Sequence, residues 1–282
     1  MSLKDSIPLQ GHLHHLQLLS PEPEALAKFY GECLGMTVSV SQEKCLCLGP
    51  NRAILIAPGP SRTLGFAAYA AADATVLAAL AERLAKAGVE VKSFSTPLFN
   101  PDSIQFLDPD GNCLVFGLPR VSGTPDVTDV LPARLQHIVL GSTDAARMLA
   151  FYRDLVGFRL SDLVVDASGG LRTFFVRSDH EHHSLAVFQA DSNRLDHHCY
   201  ESANWNSIRD WGDHFASIRL PVEWGPGRHG PGNNLFVFVH DPEGNWIEIS
   251  AELEQVTPGR EVGAWPHEER TLNVWGRGVL RS

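Results

Sequence analysis

The second half of this 282-residue chain carries the side chains best suited to hold a metal. His137 lies in a β-rich run near the start of that half, His197 and His198 open another, and Glu248 sits in Trp246-Ile-Glu-Ile-Ser250. The neighbours of Glu248 predict burial. A buried carboxylate without a partner costs several kcal/mol, so Glu248 needs a cation. Two imidazoles and one carboxylate on one face, with the other positions open, form the ligand set of non-haem Fe(II) centres that activate oxygen. The single carboxylate leaves one positive charge on a divalent ion, which favours an anionic bidentate substrate and leaves room for dioxygen beside it.

The elements that must position these residues come in two copies. His15, in Leu13-His14-His15-Leu16, recurs after 122 residues as His137, in Leu135-Gln136-His137-Ile138. The same offset carries Leu26, Phe29, Tyr30, Cys33 and Leu34 onto Met148, Phe151, Tyr152, Leu155 and Val156. Both sets have the spacing of an amphipathic helix, and each ends at a glycine (Gly35, Gly157) suited to a C-cap. Asp108-Pro-Asp-Gly-Asn112 recurs as Asp241-Pro-Glu-Gly-Asn245 at an offset of 133, so the second copy is 11 residues longer between these landmarks. Agreement in order, type and spacing predicts a duplicated module. Each copy reads as strand, helix, two or three strands, helix, strand, turn, strand, the turn being a tight hairpin. The first copy offers His15, approximately Gly65-Phe66, and Val115 where the second has its imidazoles and carboxylate. One copy can therefore build the site and the other cannot.

Composition narrows the class. With 44% hydrophobic and 20% charged residues the chain can bury a core. A net charge of −10 argues against a nucleic-acid footprint or an anionic membrane surface. The first nine residues lack the apolar core of a signal peptide. Gly65–Leu84 is Ala-rich but interrupted by Asp73, and reads as a soluble helix rather than a membrane span. Five cysteines (Cys33, Cys45, Cys47, Cys113, Cys199), odd in number and without a CxxC, argue against a disulfide framework and for a reducing cytoplasm. The polar segment from Pro119 to Pro132 reads as a linker. Residues beyond about Glu254 lie outside the repeat, yet Trp265 and Trp275 predict that this tail packs on the body.

With these residues in place, the chain resembles the type I extradiol ring-cleaving dioxygenases of the vicinal oxygen chelate superfamily over nearly its whole length. His183, in His180-Glu-His-His-Ser-Leu185, precedes His198 by 15 residues, the family's interval from acid/base histidine to second ligand. His198 precedes Glu248 by 50, close to the family's interval between those ligands. Gly227-Arg-His229-Gly-Pro-Gly-Asn233 resembles the loop carrying a second active-site histidine, and Asp241-Pro-Glu-Gly-Asn-Trp-Ile-Glu248 the ending that delivers the carboxylate. The resemblance implies an α+β fold of two tandem vicinal-oxygen-chelate modules, each of paired βαβββ units forming a curved mixed sheet around a metal pocket. It implies an N-terminal module without metal (1–120), a catalytic module (133–255) and a packed tail (256–282). It further implies Fe(II), with Mn(II) as the alternative ion, held by His137, His198 and Glu248. His183 is then the acid/base and His229 the hydrogen-bond donor to the substrate. One position departs: the family usually has a tyrosine ten residues before the ligand glutamate, and here it is Phe238.

Strand alternation sends His197 and His198 to opposite faces, so only one ligates, and the interval from His183 favours His198. His182 against His183 is decided by the same interval. Phe175, with Phe174 beside it, and Phe238 are candidate walls of a substrate pocket. His15 reads as a core residue left from a lost site, His12 and His14 as structural or surface residues, and His180 and His240 as solvated or capping. No Gly-Lys-Ser/Thr follows glycines 227, 230 and 232, and no Gly-x-Ser-x-Gly elbow occurs. The expected function is Fe(II)-dependent extradiol cleavage of a catechol-type ring with O2 in aromatic catabolism, by a homo-oligomer with no nucleic-acid or membrane partner. The rival readings are a 2-oxoacid oxygenase, a glyoxalase-like isomerase, and a metal-free sequestering protein of the bleomycin-resistance type.

Overall fold

A computed structural model describes residues 9–120 and 130–279. The expected leader-free N-terminus and most of the expected linker lie outside these residues. The first copy comprises β1 (His12–Ser20), α1 (Pro23–Leu34), β2 (Thr37–Ser41), β3 (Lys44–Gly49), β4 (Arg52–Pro58), β5 (Thr63–Ala70), α2 (Ala74–Lys86), β6 (Lys92–Ser93), β7 (Ile104–Leu107) and β8 (Cys113–Gly117). The second comprises β9 (Arg134–Ser142), α3 (Ala145–Ala150), β10 (Arg159–Val165), β11 (Leu171–Arg177), β12 (Leu185–Gln189), β13 (Arg194–Ser202), α4 (Trp205–Ser217), β14 (Trp224–Arg228), β15 (Leu235–His240) and β16 (Trp246–Ala251). A π-helical stretch, Phe151–Val156, prolongs α3. The tail adds β17 (Gly263–Pro266) and α5 (Glu269–Leu272).

The first sheet runs β2-β3-β4-β1-β5-β8-β7-β6 and the second runs β10-β11-β12-β9-β13-β16-β15-β14, with β17 added outside β10. Strand for strand the two orders are the same, which makes the sequence repeat a structural one. The helices follow from their apolar spacing. α1 buries Leu26, Ala27, Tyr30, Cys33 and Leu34 and stops at Gly35, whose φ of +60° favours glycine. The stretch Gly65–Leu84, expected to be one helix, is a strand followed by a helix: β5 ends at Ala70, and the Asp73 side chain accepts from Val76 N to start α2. Among the described residues no helix is long and apolar enough to cross a membrane.

The two copies are joined reciprocally. Tyr30 of α1 donates its hydroxyl to Asp241 Oδ2 at 3.0 Å, in the turn of the second copy. Its counterpart Tyr152 donates to Asp108 Oδ2 at 2.7 Å, in the turn of the first. Each aspartate also ties its own turn. Asp241 accepts from the Glu243 and Asn245 amides and from Asn245 Nδ2, and Asp108 from the Asp110 and Asn112 amides and Asn112 Nδ2. The Asp-Pro-x-Gly-Asn motif thus closes a hairpin and docks the opposite copy's helix.

Candidate metal centre and pocket

The centre of the second sheet is β9-β13-β16. In β13, Cys199 lies opposite His137 of β9 and beside Glu248 of β16. Residues two apart share a face, so His197 joins His137, Cys199 and Glu248, and His198 points the other way. The imidazole Nε2 atoms of His137 and His197 lie 3.3 and 3.2 Å from Glu248 Oε2. Burial is nearly complete at all three residues.

This corrects the expectation for His198. Its ring is buried on the opposite face, where Nε2 meets the Tyr30 hydroxyl at 3.1 Å, and burial pushes its pKa down to about 3. His198 therefore belongs to the joint between the copies. Counting 15 residues from His183 picked the wrong partner, because a register shift between Leu195 and His197 changes which side chains face inward.

The surroundings of the two imidazoles fix which nitrogen each turns toward Glu248. Gln136 Oε1 lies 2.5 Å from His137 Nδ1, its orientation fixed because Nε2 of the same amide donates to the His183 carbonyl at 2.6 Å. Asp196 Oδ1 lies 2.7 Å from His197 Nδ1. Both neighbours are acceptors, so each ring carries its proton on Nδ1 and turns an Nε2 lone pair toward Glu248. Two lone pairs and a carboxylate converging without a proton among them form a cation-binding donor set. Ligand atoms about 2.1 Å from a shared ion stand about 3.0–3.4 Å apart in octahedral or tetrahedral geometry, which fits the two imidazole–Glu248 distances. Burial raises the Glu248 pKa, but the imidazoles of His137, His197 and His229 packed against its oxygens outweigh it and hold the carboxyl well below its usual range. Burial also disfavours charge on His197, yet Asp196 and Glu248 together move its pKa upward, while burial leaves that of His137 lowered.

Cys199 comes as near: ligand atoms of His137, Cys199 and Glu248 lie within 4.8 Å of one another. His197 is the better donor. The Cys199 thiol donates to Ser250 Oγ at 3.1 Å, and burial followed by the Glu248 charge pushes its pKa well up, which opposes thiolate formation. His197 also lines the pocket above the cluster and Cys199 does not.

That pocket has a cavity volume of about 40 Å³. His183 and His229 line it, as expected, together with Phe175 and Phe238, whereas Phe174 is buried in the core. Burial, followed by the neighbouring His137 and His182, holds His183 well below the usual histidine range. His229 places Nε2 3.6 Å from Glu248 Oε1 and packs flat on Phe236, and its Nδ1 donates to the Leu272 carbonyl at 2.5 Å. Phe238 pairs across the strands with Glu248 and packs edge-on against His197 at 5.2 Å. Tail residues His267, Thr271 and Leu272 close one side.

Sequence reasoning missed Gln136, Asp196, Asn234 (whose Nδ2 donates to Glu248 Oε1 at 3.2 Å) and the Leu272 carbonyl. For the first two a signal existed, an acceptor directly before a candidate ligand histidine. In the first copy, the registers of Ala68 with His15 and with Val115 make His15, Phe66 and Val115 the equivalents of His137, His197 and Glu248. There Phe66, Phe99 and Val115 fill the space as an apolar cluster, and His15 bonds Thr96 Oγ1 at 2.9 Å.

Comparison with known proteins identifies the family. The profile of the Glyoxalase/Bleomycin resistance protein/Dioxygenase superfamily matches residues 12–116 and again 134–249. The chain is 30% identical over 230 residues to metapyrocatechase 2 of Cupriavidus necator, covering 72% of this chain and 69% of that one. It is 32% identical over 251 residues to biphenyl-2,3-diol 1,2-dioxygenase of Paraburkholderia xenovorans, covering 81% and 80%. Among solved structures, the Mn(II)-bound glyoxalase of Novosphingobium aromaticivorans superposes with a TM-score of 0.85 over 97% of this chain and 93% of that one, at 22% identity, which is a likeness of fold. Two successive matches to one module and this pair of relatives establish that the chain belongs to the glyoxalase/bleomycin resistance protein/dioxygenase superfamily.

Proposed function

We propose that the protein is an Fe(II)-dependent extradiol dioxygenase that opens a catechol-type ring with O2, Mn(II) being the alternative ion. The observation that carries this reading is the convergence of His137 Nε2, His197 Nε2 and Glu248 Oε2 beneath a pocket that also holds His183 and His229. Relatives named for metapyrocatechase and biphenyl-2,3-diol dioxygenase activities support the substrate class. The same reading divides the chain into a module without metal (1–120), a catalytic module (133–255) and a tail (256–282).

When bound, the ion supplies a Lewis-acid centre that acidifies the diol and brings it together with dioxygen. The residues around it do the rest. Two neutral imidazoles and one carboxylate leave net positive charge that favours a deprotonated diol. His183, kept neutral by burial, takes a diol proton inside the pocket and returns it when the ring opens. His229, its Nδ1–H donated to Leu272, turns its Nε2 lone pair to the pocket next to Glu248, where it accepts the hydrogen of a substrate hydroxyl. Phe175, Phe238, Trp224 and Phe188 exclude water from the ring's faces. Phe238 adds no hydroxyl, so substrate orientation rests on the two histidines.

The test is oxygen uptake by Fe(II)-reconstituted protein with a panel of mono- and bicyclic catechols, followed by visible absorbance. Stoichiometric oxygen consumption with a yellow, pH-dependent product is the expected result. Iron bound at one per chain with no uptake on any catechol overturns the reaction while leaving the metal centre standing.

A further inference from the structure

We propose that His182 and Asp162 are positioning residues for His183, holding it in the tautomer that carries its proton on Nδ1 and turns the Nε2 lone pair to the pocket. The role assigned to His183 rests on the function proposed above; the tautomer itself does not.

The three residues form a buried chain. Asp162 of β10 is fully buried and takes Arg260 Nη1 at 2.5 Å and Gly263 N at 3.0 Å on Oδ1, and Trp265 Nε1 at 2.7 Å on Oδ2. Three donors hold it as an anion. His182 Nε2 stands 3.1 Å from Asp162 Oδ2 and 4.0 Å from Glu254 Oε2. The contact with Asp162 is not aligned as a hydrogen bond, so what it supplies is a fixed negative field at that edge of the ring. At the other edge, His182 Nδ1 lies 3.0 Å from His183 Nδ1. The His182 ring has little freedom. Its backbone amide donates to the Glu254 carbonyl at 2.9 Å, and Gly232 leaves so little room that an added Cβ would meet Nδ1 at 3.1 Å.

One proton must lie between the two Nδ1 atoms, and the carboxylates decide whose it is. Asp162 is already paired with Arg260, so the ring stays neutral; if a neutral His182 donated the proton, its Nε2 lone pair would face Asp162 at 3.1 Å inside the protein, where uncompensated charge is poorly screened. If His182 carries its proton on Nε2 instead, that proton faces the carboxylates, its Nδ1 accepts, and His183 Nδ1–H donates. The Nε2 lone pair of His183 is then free on the pocket side, where a base for the diol is needed. The logic is that of an aspartate fixing a catalytic histidine's tautomer, with a second imidazole inserted between them. It also gives the tail a task, since Arg260, Gly263 and Trp265 all come from it.

Full-length protein loaded with diamagnetic Zn(II) is examined by long-range ¹H–¹⁵N NMR of the imidazoles, with His183 assigned by its loss in His183→Gln. The wild type is expected to show His183 protonated on Nδ1. His182→Gln, which keeps an acceptor oxygen, is expected to preserve this, and His182→Met, which removes it at similar bulk, to move the proton toward Nε2. In the Fe(II) enzyme His182→Met should lower kcat by about 100-fold with KM within about twofold and iron content unchanged, and His182→Gln should recover most of the rate. A wild-type His183 protonated on Nε2 overturns the proposal, whether or not the Met variant folds. A Met variant with wild-type kcat refutes the positioning role. A wild-type enzyme that cleaves no diol refutes the proposed reaction alone, because the NMR result still decides the tautomer.

Discussion

Replacing Asp196 by Asn tests the metal centre at a residue that touches no ion. Asp196 Oδ1 sits 2.7 Å from His197 Nδ1, buried, and with Glu248 it outweighs the burial that would otherwise lower the basicity of His197. Asparagine keeps the shape but removes the charge, and it offers Nδ1–H either a weaker neutral acceptor or a clashing amide. Substitution of such a partner typically weakens metal affinity about 10- to 100-fold, which is about 1.4–2.7 kcal/mol at 1.36 kcal/mol per decade. The assay is anaerobic chelator-competition titration of Fe(II), repeated with Mn(II), for the wild type, Asp196→Asn, His197→Gln and His198→Gln. Affinity should fall steeply in His197→Gln, by the stated amount in Asp196→Asn, and not at all in His198→Gln, whose ring faces Tyr30. If Asp196→Asn binds like the wild type, or His198→Gln loses metal as His197→Gln does, the assignment of the β13 faces is wrong.

Three further outcomes follow from the same contacts. Tyr30→Phe and Tyr152→Phe each remove a buried hydroxyl from an aspartate that keeps other donors, so each should destabilise by about 1–2 kcal/mol, lowering Tm by about 2–4 °C per kcal/mol in thermal melts; an unchanged Tm in either one argues against the joint. Burial pushes the Glu201 carboxyl up to about 7, with Ser250 Oγ and Leu253 N as its donors. Because its folded pKa lies above the unfolded one, its contribution to stability is complete below about 4.5 and is lost as pH rises through about 7, an effect of at most about 3 kcal/mol. Glu201→Gln should therefore flatten the stability profile between pH 5 and 8, and a denaturation series whose pH slope is unchanged would count against it. Removing the tail from His267 onward frees His229 Nδ1 and opens the pocket, so KM for the diol should rise roughly tenfold while the affinity for iron stays at the wild-type level; iron lost along with the tail would mean that the tail supports the centre itself.

The architecture was legible because duplication wrote it twice. The offset from His15 to His137 and the paired turn motifs fixed strand, helix and hairpin order, and the C-cap glycines appear with left-handed φ values of +60° and +92°. The choice between His197 and His198 was not legible. Alternation has a period of two, so a one-residue shift in β13 inverts the assignment while barely altering any interval along the chain. Asp162, Asn234 and the Leu272 carbonyl were invisible for another reason. They reach the site from β10, the loop before β15 and the tail, and no local pattern marks such convergence. The run Gly65–Leu84 misled because alanine suits both β5 and α2, and only the role of Asp73 as a cap tells them apart.

The crossed Tyr–Asp pairs have a consequence for the molecule's history. Tyr30 with Asp241 and Tyr152 with Asp108 are the same contact made twice about a pseudo-twofold, the self-complementary pattern of an isologous dimer. Two separate copies of an ancestral module would have made both contacts across a subunit boundary. Fusing them into one chain keeps that dimer permanently assembled at any dilution. Only one copy carries the candidate metal centre, and the other contributes α1 and Asp108 to the joint that holds the two together.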